Sequence, residues 1–130
     1  MTIIDGGKTV EDSIRAYFRS WIEKDEAAFQ RSFSQDAVYS ECYGPEYHGL
    51  PQLLRWFRDW NARGSVLSWE IKRFLKADRT AVAEWYFRCV FDGVEDGFDG
   101  VTIADFDAAG KIQKLSEFQS KAEHCCPYEE

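Results

Sequence analysis

Residues Thr80–Phe91 read Thr-Ala-Val-Ala-Glu-Trp-Tyr-Phe-Arg-Cys-Val-Phe. β-Branched and aromatic residues dominate and neither Gly nor Pro interrupts, which is the composition of a strand. Side chains alternate across a strand. Ala83, Trp85, Phe87, Cys89 and Phe91 therefore share one side. Val82, Glu84, Tyr86, Arg88 and Val90 share the other. The first set is the more apolar and has to be covered. The second mixes charge with Tyr and Val, which suits either a solvated face or a dimer interface.

Strand signals continue on both sides. Residues 65–76 are β-rich, and strict alternation puts Leu67, Trp69, Ile71 and Leu75 on the buried side, with Arg73 at the far end. Ala77-Asp78-Arg79 is a short turn back. A loop is expected over 92–97, then a strand over 98–107, a tight turn at Ala108-Ala109-Gly110, and a last strand over 111–121. Short turns between successive strands imply an antiparallel meander.

The amino-terminal half carries helical spacing instead. Thr9 can cap a helix, with Asp12 three residues on in a capping-box pattern. Val10, Ile14, Tyr17, Phe18 and Trp21 then form one face. Asp25 can cap a short second helix burying Ala28, Phe29 and Phe33. Residues 37–43 read as a strand ending at Gly44-Pro45. Gly49-Leu50-Pro51 opens a third helix with Leu50, Leu53, Leu54 and Phe57 on its face and Trp56 and Trp60 beside it. Helices first and strands last favour an α+β fold of four to five main strands over a parallel doubly wound sheet.

The 130 residues fit one domain, with 1–8 as a flexible arm, 9–121 as the folded body and 122–130 as a tail. A net charge of −7 and the lack of a basic run argue against nucleic acid and anionic membranes. No export signal or spanning segment is visible, so a cytoplasmic protein with reduced cysteines is expected. His124-Cys125-Cys126, with His48, lacks metal-ligand spacing, and no phosphate loop is present, so neither metal nor cofactor is expected. Ten Phe, six Tyr and five Trp are many for this length and point to an enclosed, aromatic-rich hollow for a small hydrophobic molecule.

Several segments resemble the nuclear transport factor 2-like superfamily, in its SnoaL-like branch of polyketide cyclases and ketosteroid isomerase-like proteins. They are Phe33-Ser34-Gln35-Asp36-Ala37-Val38-Tyr39, Tyr47-His48-Gly49, Gly93 with Asp99-Gly100-Val101-Thr102-Ile103, and Gly110-Lys111-Ile112 with Glu117-Phe118. The resemblance implies a cone, with the sheet wrapped around a long helix and a cavity open at one end. It also implies a homodimer paired through the outer sheet face, and a carboxylate in the cavity as acid or base.

Glu117 matches the last-strand acidic position; outward placement, or pairing with a neighbour such as Arg88, is the other reading. Glu41, alternating with Tyr39 and Tyr43, is the second candidate, although the isomerase branch uses Asp there. His48, at a loop-to-helix corner, is the third catalytic candidate or a surface residue. Tyr17 resembles the helix-one Tyr of the isomerases, while Asp105 is a poor match for their companion acid. Tyr17, Trp21, Trp56, Trp60, Trp69, Trp85 and Phe87 are candidates for the ligand wall, with plain core packing as the alternative. The resulting expectation is a cofactor-independent acid–base enzyme of the isomerase, cyclase or hydrolase type. A non-catalytic ligand binder and a dimeric adaptor are the alternatives.

Overall fold

The computed structural model describes residues 9–121 and 123–128. The expected arm at 1–8 and part of the expected tail lie outside the described residues. The elements run α1 (Val10–Ile22), α2 (Glu26–Arg31), β1 (Phe33–Ser40), β2 (Glu46–His48), α3 (Leu50–Arg63), β3 (Gly64–Ala77), β4 (Thr80–Phe91), β5 (Val94–Phe106) and β6 (Ile112–Ser120). They form an α+β cone whose one curved sheet has the order β2-β1-β6-β5-β4-β3.

The helices start where their caps stand. The Thr9 hydroxyl accepts from the Asp12 amide at 3.1 Å and the Asp12 carboxylate accepts from the Thr9 amide at 3.2 Å. The Asp25 carboxylate accepts from the Ala28 amide at 3.1 Å. Val10, Ile14, Tyr17, Phe18 and Trp21 of α1 are buried, as are Leu50, Leu53 and Phe57 of α3. Each such side chain taken from water contributes about 1.5–3 kcal/mol, which pins both helices onto the sheet.

The β3–β4 and β4–β5 connections are two-residue turns, with Ala77 facing Thr80 and Phe91 facing Val94. Asp92 and Gly93 both take positive φ, as a hairpin turn of matching twist requires. Strand β5 therefore begins at Val94, and the six-residue loop expected at 92–97 shrinks to two.

Three further expectations change. The sheet has six strands, because Glu46–His48 pairs with β1 as a short edge. The sheet is not wholly antiparallel: β1 runs parallel to β6, with Tyr39 beside Leu115. Strand β3 does not keep strict alternation. Register shifts between Val66 and Ser68, and again between Ile71 and Arg73, insert an extra residue each time. Each bulge reverses the phase. Val66 and Trp69 are buried and Phe74 partly so, while Leu67 and Leu75 are 43% and 53% exposed. Strand β4 carries no bulge against β5 and follows the expected faces, with Ala83, Trp85, Phe87 and Cys89 buried. Among the described residues no helix is long and apolar enough to cross a membrane.

Candidate active site

Parallel pairing of β1 with β6 brings two distant inward positions together. Tyr39, Leu115 and Glu117 point into the cone, while Phe118 points out and is 56% exposed. The Tyr39 hydroxyl donates to Glu117 Oε2 at 2.5 Å. Behind it, the Tyr17 hydroxyl donates to the Tyr39 hydroxyl at 2.6 Å, and Trp21 Nε1 donates to the Tyr17 hydroxyl at 3.0 Å. Three polar groups from α1 and β1 thus end on one carboxyl.

Glu117 stands at the wall of a narrow hollow of about 50 Å³. Helices α1 and α3 supply Trp21, Trp56 and Trp60. Strands β3 and β4 supply Trp69, Trp85 and Phe87, and β5 supplies Phe98. Trp85 lies flat because the neighbour facing it on β5 is Gly100. A methyl group there would overlap both the Trp85 ring and the Phe118 carbonyl. Trp85 Nε1 donates to the buried Thr102 hydroxyl at 2.9 Å, which fixes the ring.

The setting decides the protonation of the two carboxyls. Burial among rings pushes Glu117 up to about 8. The negative charge of Glu41 adds to that rise, while the Tyr39 hydroxyl and the Cys42 backbone N–H oppose it. Glu117 is therefore mostly protonated at neutral pH. Glu41, just past β1, is half-buried and also lines the hollow. Its own burial raises it, and the Tyr47 hydroxyl, donating to Oε2 at 2.8 Å, pulls it back. Burial drives Tyr39 and Tyr17 well above the usual phenol range, so both remain hydrogen-bond donors.

The structure brings Glu117 and Glu41 to one hollow with the five tryptophans and Phe87. Tyr17 stands behind that wall, buried, and reaches Glu117 only through Tyr39. His48 is elsewhere: it sits on the edge strand β2, with its side chain 63% exposed and 3.0 Å from Glu46. Arg88 pairs with Glu95 rather than with Glu117. Asp105 accepts from the Thr80 hydroxyl at 2.6 Å and lines no part of the hollow. Tyr39 was not singled out from the sequence, although its alternation with Glu41 and Tyr43 carried the signal. Among the described residues no group of three or more His, Cys, Asp or Glu could hold a metal ion.

A cone with an aromatic hollow and a buried carboxyl on its last strand defines a class rather than a reaction. The chain belongs to the SnoaL-like domain family, whose model matches residues 14–115. No curated protein matches it by sequence. Similar solved structures include a protein of ketosteroid isomerase-like fold from Catenulispora acidiphila, in complex with trimethylamine, at TM-score 0.75 and 17% identity over 85% of this chain and 86% of that one. An LEH-like epoxide hydrolase from M. tuberculosis superposes at TM-score 0.78 and 14% identity, covering 85% and 82%. A protein provisionally assigned as a SnoaL-like polyketide cyclase from Shewanella denitrificans gives TM-score 0.73 and 13% identity, covering 85% and 90%. At such identities the likeness speaks for the fold alone.

Proposed function

We propose that this chain is a cofactor-independent acid–base enzyme acting on a small, largely apolar substrate. The observation that carries this reading is the Glu117 carboxyl buried among aromatic rings and held by Tyr39 at 2.5 Å, a setting that pushes it up to about 8. A neutral carboxylic acid in a dry site can donate a proton to a carbonyl or epoxide oxygen as negative charge develops there. Glu41, in the same hollow, is placed to take a proton from carbon or from an attacking water. Two carboxyls in unlike settings, one deep among rings and one half-buried, can divide the acid and base roles between them. Turnover of a panel of small ketones and epoxides tests this. Wild type should turn over at least one of them, and Glu117→Gln should lower its kcat by about 100-fold or more. An unchanged rate in Glu117→Gln overturns the assignment, and binding without turnover by both forms makes the hollow a ligand-binding module.

The same reading takes the protein as a cytoplasmic homodimer paired through the outer sheet face. Support comes from the apolar side chains left on that face. Phe118 lies across from Val101, and Ile103 from Val82, which in turn faces Leu75. Phe118, Ile103 and Leu75 are all exposed in the single chain. Sedimentation of wild type should give a dimer and Phe118→Lys a monomer; a monomeric wild type at high concentration removes the interface.

A further inference from the structure

The hollow around Glu117 continues outward into a wider vestibule of about 550 Å³. Four residues line both spaces: Glu41, Tyr43, Trp56 and Trp60. They mark the neck between them. Three rings and one carboxylate at a constriction is an unusual combination if everything that passes is neutral.

Charge is distributed one way along the path. Among the described residues the inner hollow has two ionisable carboxyls, Glu41 and Glu117, and no Lys, Arg or His in its lining. Among the described residues the vestibule's lining adds Asp59 and Asp96, paired with Arg55 at 3.8 Å and with Lys121 at 2.8 Å, and one cation, Arg63. Arg63 is already engaged: its guanidinium donates to Asp92 at 3.0 Å and lies 4.7 Å from the centre of the Phe91 ring. Lys121, a cation beside the lining, lies 5.8 Å from the Phe98 ring and is paired with Asp96, so an anionic ligand would meet no free counter-charge in the lining, and burial of an unpaired charge is prohibitive. A cationic group finds both a carboxylate and ring faces. Rings attract cations through their negative faces, most strongly Trp, and aromatic clusters are what quaternary ammonium groups occupy.

The two tryptophans of the neck are closely packed. Trp56 is stacked on Tyr47 at 4.6 Å between centroids and packs edge to face with Trp21 at 4.9 Å. Trp60 packs on Trp21 at 5.5 Å and on Phe91 at 5.4 Å. Tyr47, which backs Trp56, also donates to Glu41, so one side chain positions both a ring and the carboxylate. Trp56, Trp60 and Glu41 are thus held in place before a ligand arrives.

We propose that the substrate of this site carries an alkylammonium group, quaternary or protonated tertiary, held at the neck by Glu41 with Trp56, Trp60 and Tyr43, while its apolar body reaches inward to Glu117. The inference rests on the reading of the hollow as a substrate site and adds the chemical class. Glu41 faces the ammonium group and the carbon beside it, and Glu117 meets the uncharged end.

The test uses choline and its carbon isostere 3,3-dimethyl-1-butanol as probes, titrated into the full chain with tryptophan fluorescence and calorimetry as readouts. Choline should bind about tenfold tighter than the isostere. Glu41→Gln should lower choline affinity by about tenfold and leave the isostere within about twofold. Equal or tighter binding of the isostere overturns the proposal, as does no binding of either probe. Carboxyl ¹³C titration of Glu117 on the same sample separates the two readings. Glu117 titrating near 8 with no preference for choline removes the alkylammonium inference alone. Glu117 titrating in the ordinary carboxylate range removes the acid–base reading itself.

Discussion

Replacing Glu117 with Gln should stabilise the protein at alkaline pH. Free glutamate ionises at 4.5, and in this hollow Glu117 does so at about 8. The folded chain therefore holds a proton that the unfolded chain has released across that whole interval. Stability falls with pH wherever the native state binds more protons, by about 1.4 kcal/mol per pH step for one group. The contribution is fully present below pH 4.5, declines as pH rises, and is gone once pH passes 8. Across the window the wild type loses about 5 kcal/mol on account of this one carboxyl, and by pH 7 it has lost about 3 kcal/mol of that. Gln keeps the shape and the acceptor for the Tyr39 hydroxyl but never ionises. Urea unfolding of both proteins at pH 5, 7 and 9 measures the difference directly. The two should be nearly equal at pH 5, and the variant should lead by several kcal/mol at pH 9. Parallel stability curves would refute the reasoning, because they would mean that Glu117 ionises as easily in the fold as outside it.

Tyr39→Phe removes a donor that holds Glu117 down, so the carboxyl should titrate still higher by ¹³C NMR. The same change leaves the buried Tyr17 hydroxyl without its acceptor, at about 1–3 kcal/mol in chemical denaturation. Gly100→Ala drives a methyl into the Trp85 ring and should lower stability by about 3 kcal/mol, with a changed near-ultraviolet circular dichroism spectrum. Thr102→Val keeps the volume and deletes the acceptor of Trp85 Nε1; calorimetric melting should show a loss of about 1–3 kcal/mol.

What could be read in the chain follows how local the cause is. The capping box at Thr9 and Asp12 and the stripe from Val10 to Trp21 are decided within a few residues, and the structure has both. Strand β4 alternates without interruption against β5, so Trp85 and Phe87 could be placed inward from the sequence. Strand β3 could not be phased correctly because its two bulges are set by pairing with β4, which composition does not announce. Leu67 and Leu75 were misplaced for that reason. Strand β2 is three residues long and carries no periodicity to detect. The parallel β1–β6 contact has no local signature at all. It alone joins Tyr39 to Glu117, so Glu117 could be nominated from the sequence while its partner was not.

That contact has a consequence for how the molecule comes into being. Tyr39 and Glu117 are 78 residues apart along the chain, and the strands that carry them touch directly. Closing so long a loop is an entropic barrier that nearby contacts do not lower, and topologies rich in such closures fold slowly. On a ribosome, β1 emerges long before β6 and has only the three-residue β2 to pair with while it waits. An unpaired edge of that kind invites association with other chains. The carboxyl–phenol pair is thus assembled by one of the longest-range closures in the fold, and a nascent chain halted before Ile112 would hold Tyr39 with nothing to donate to.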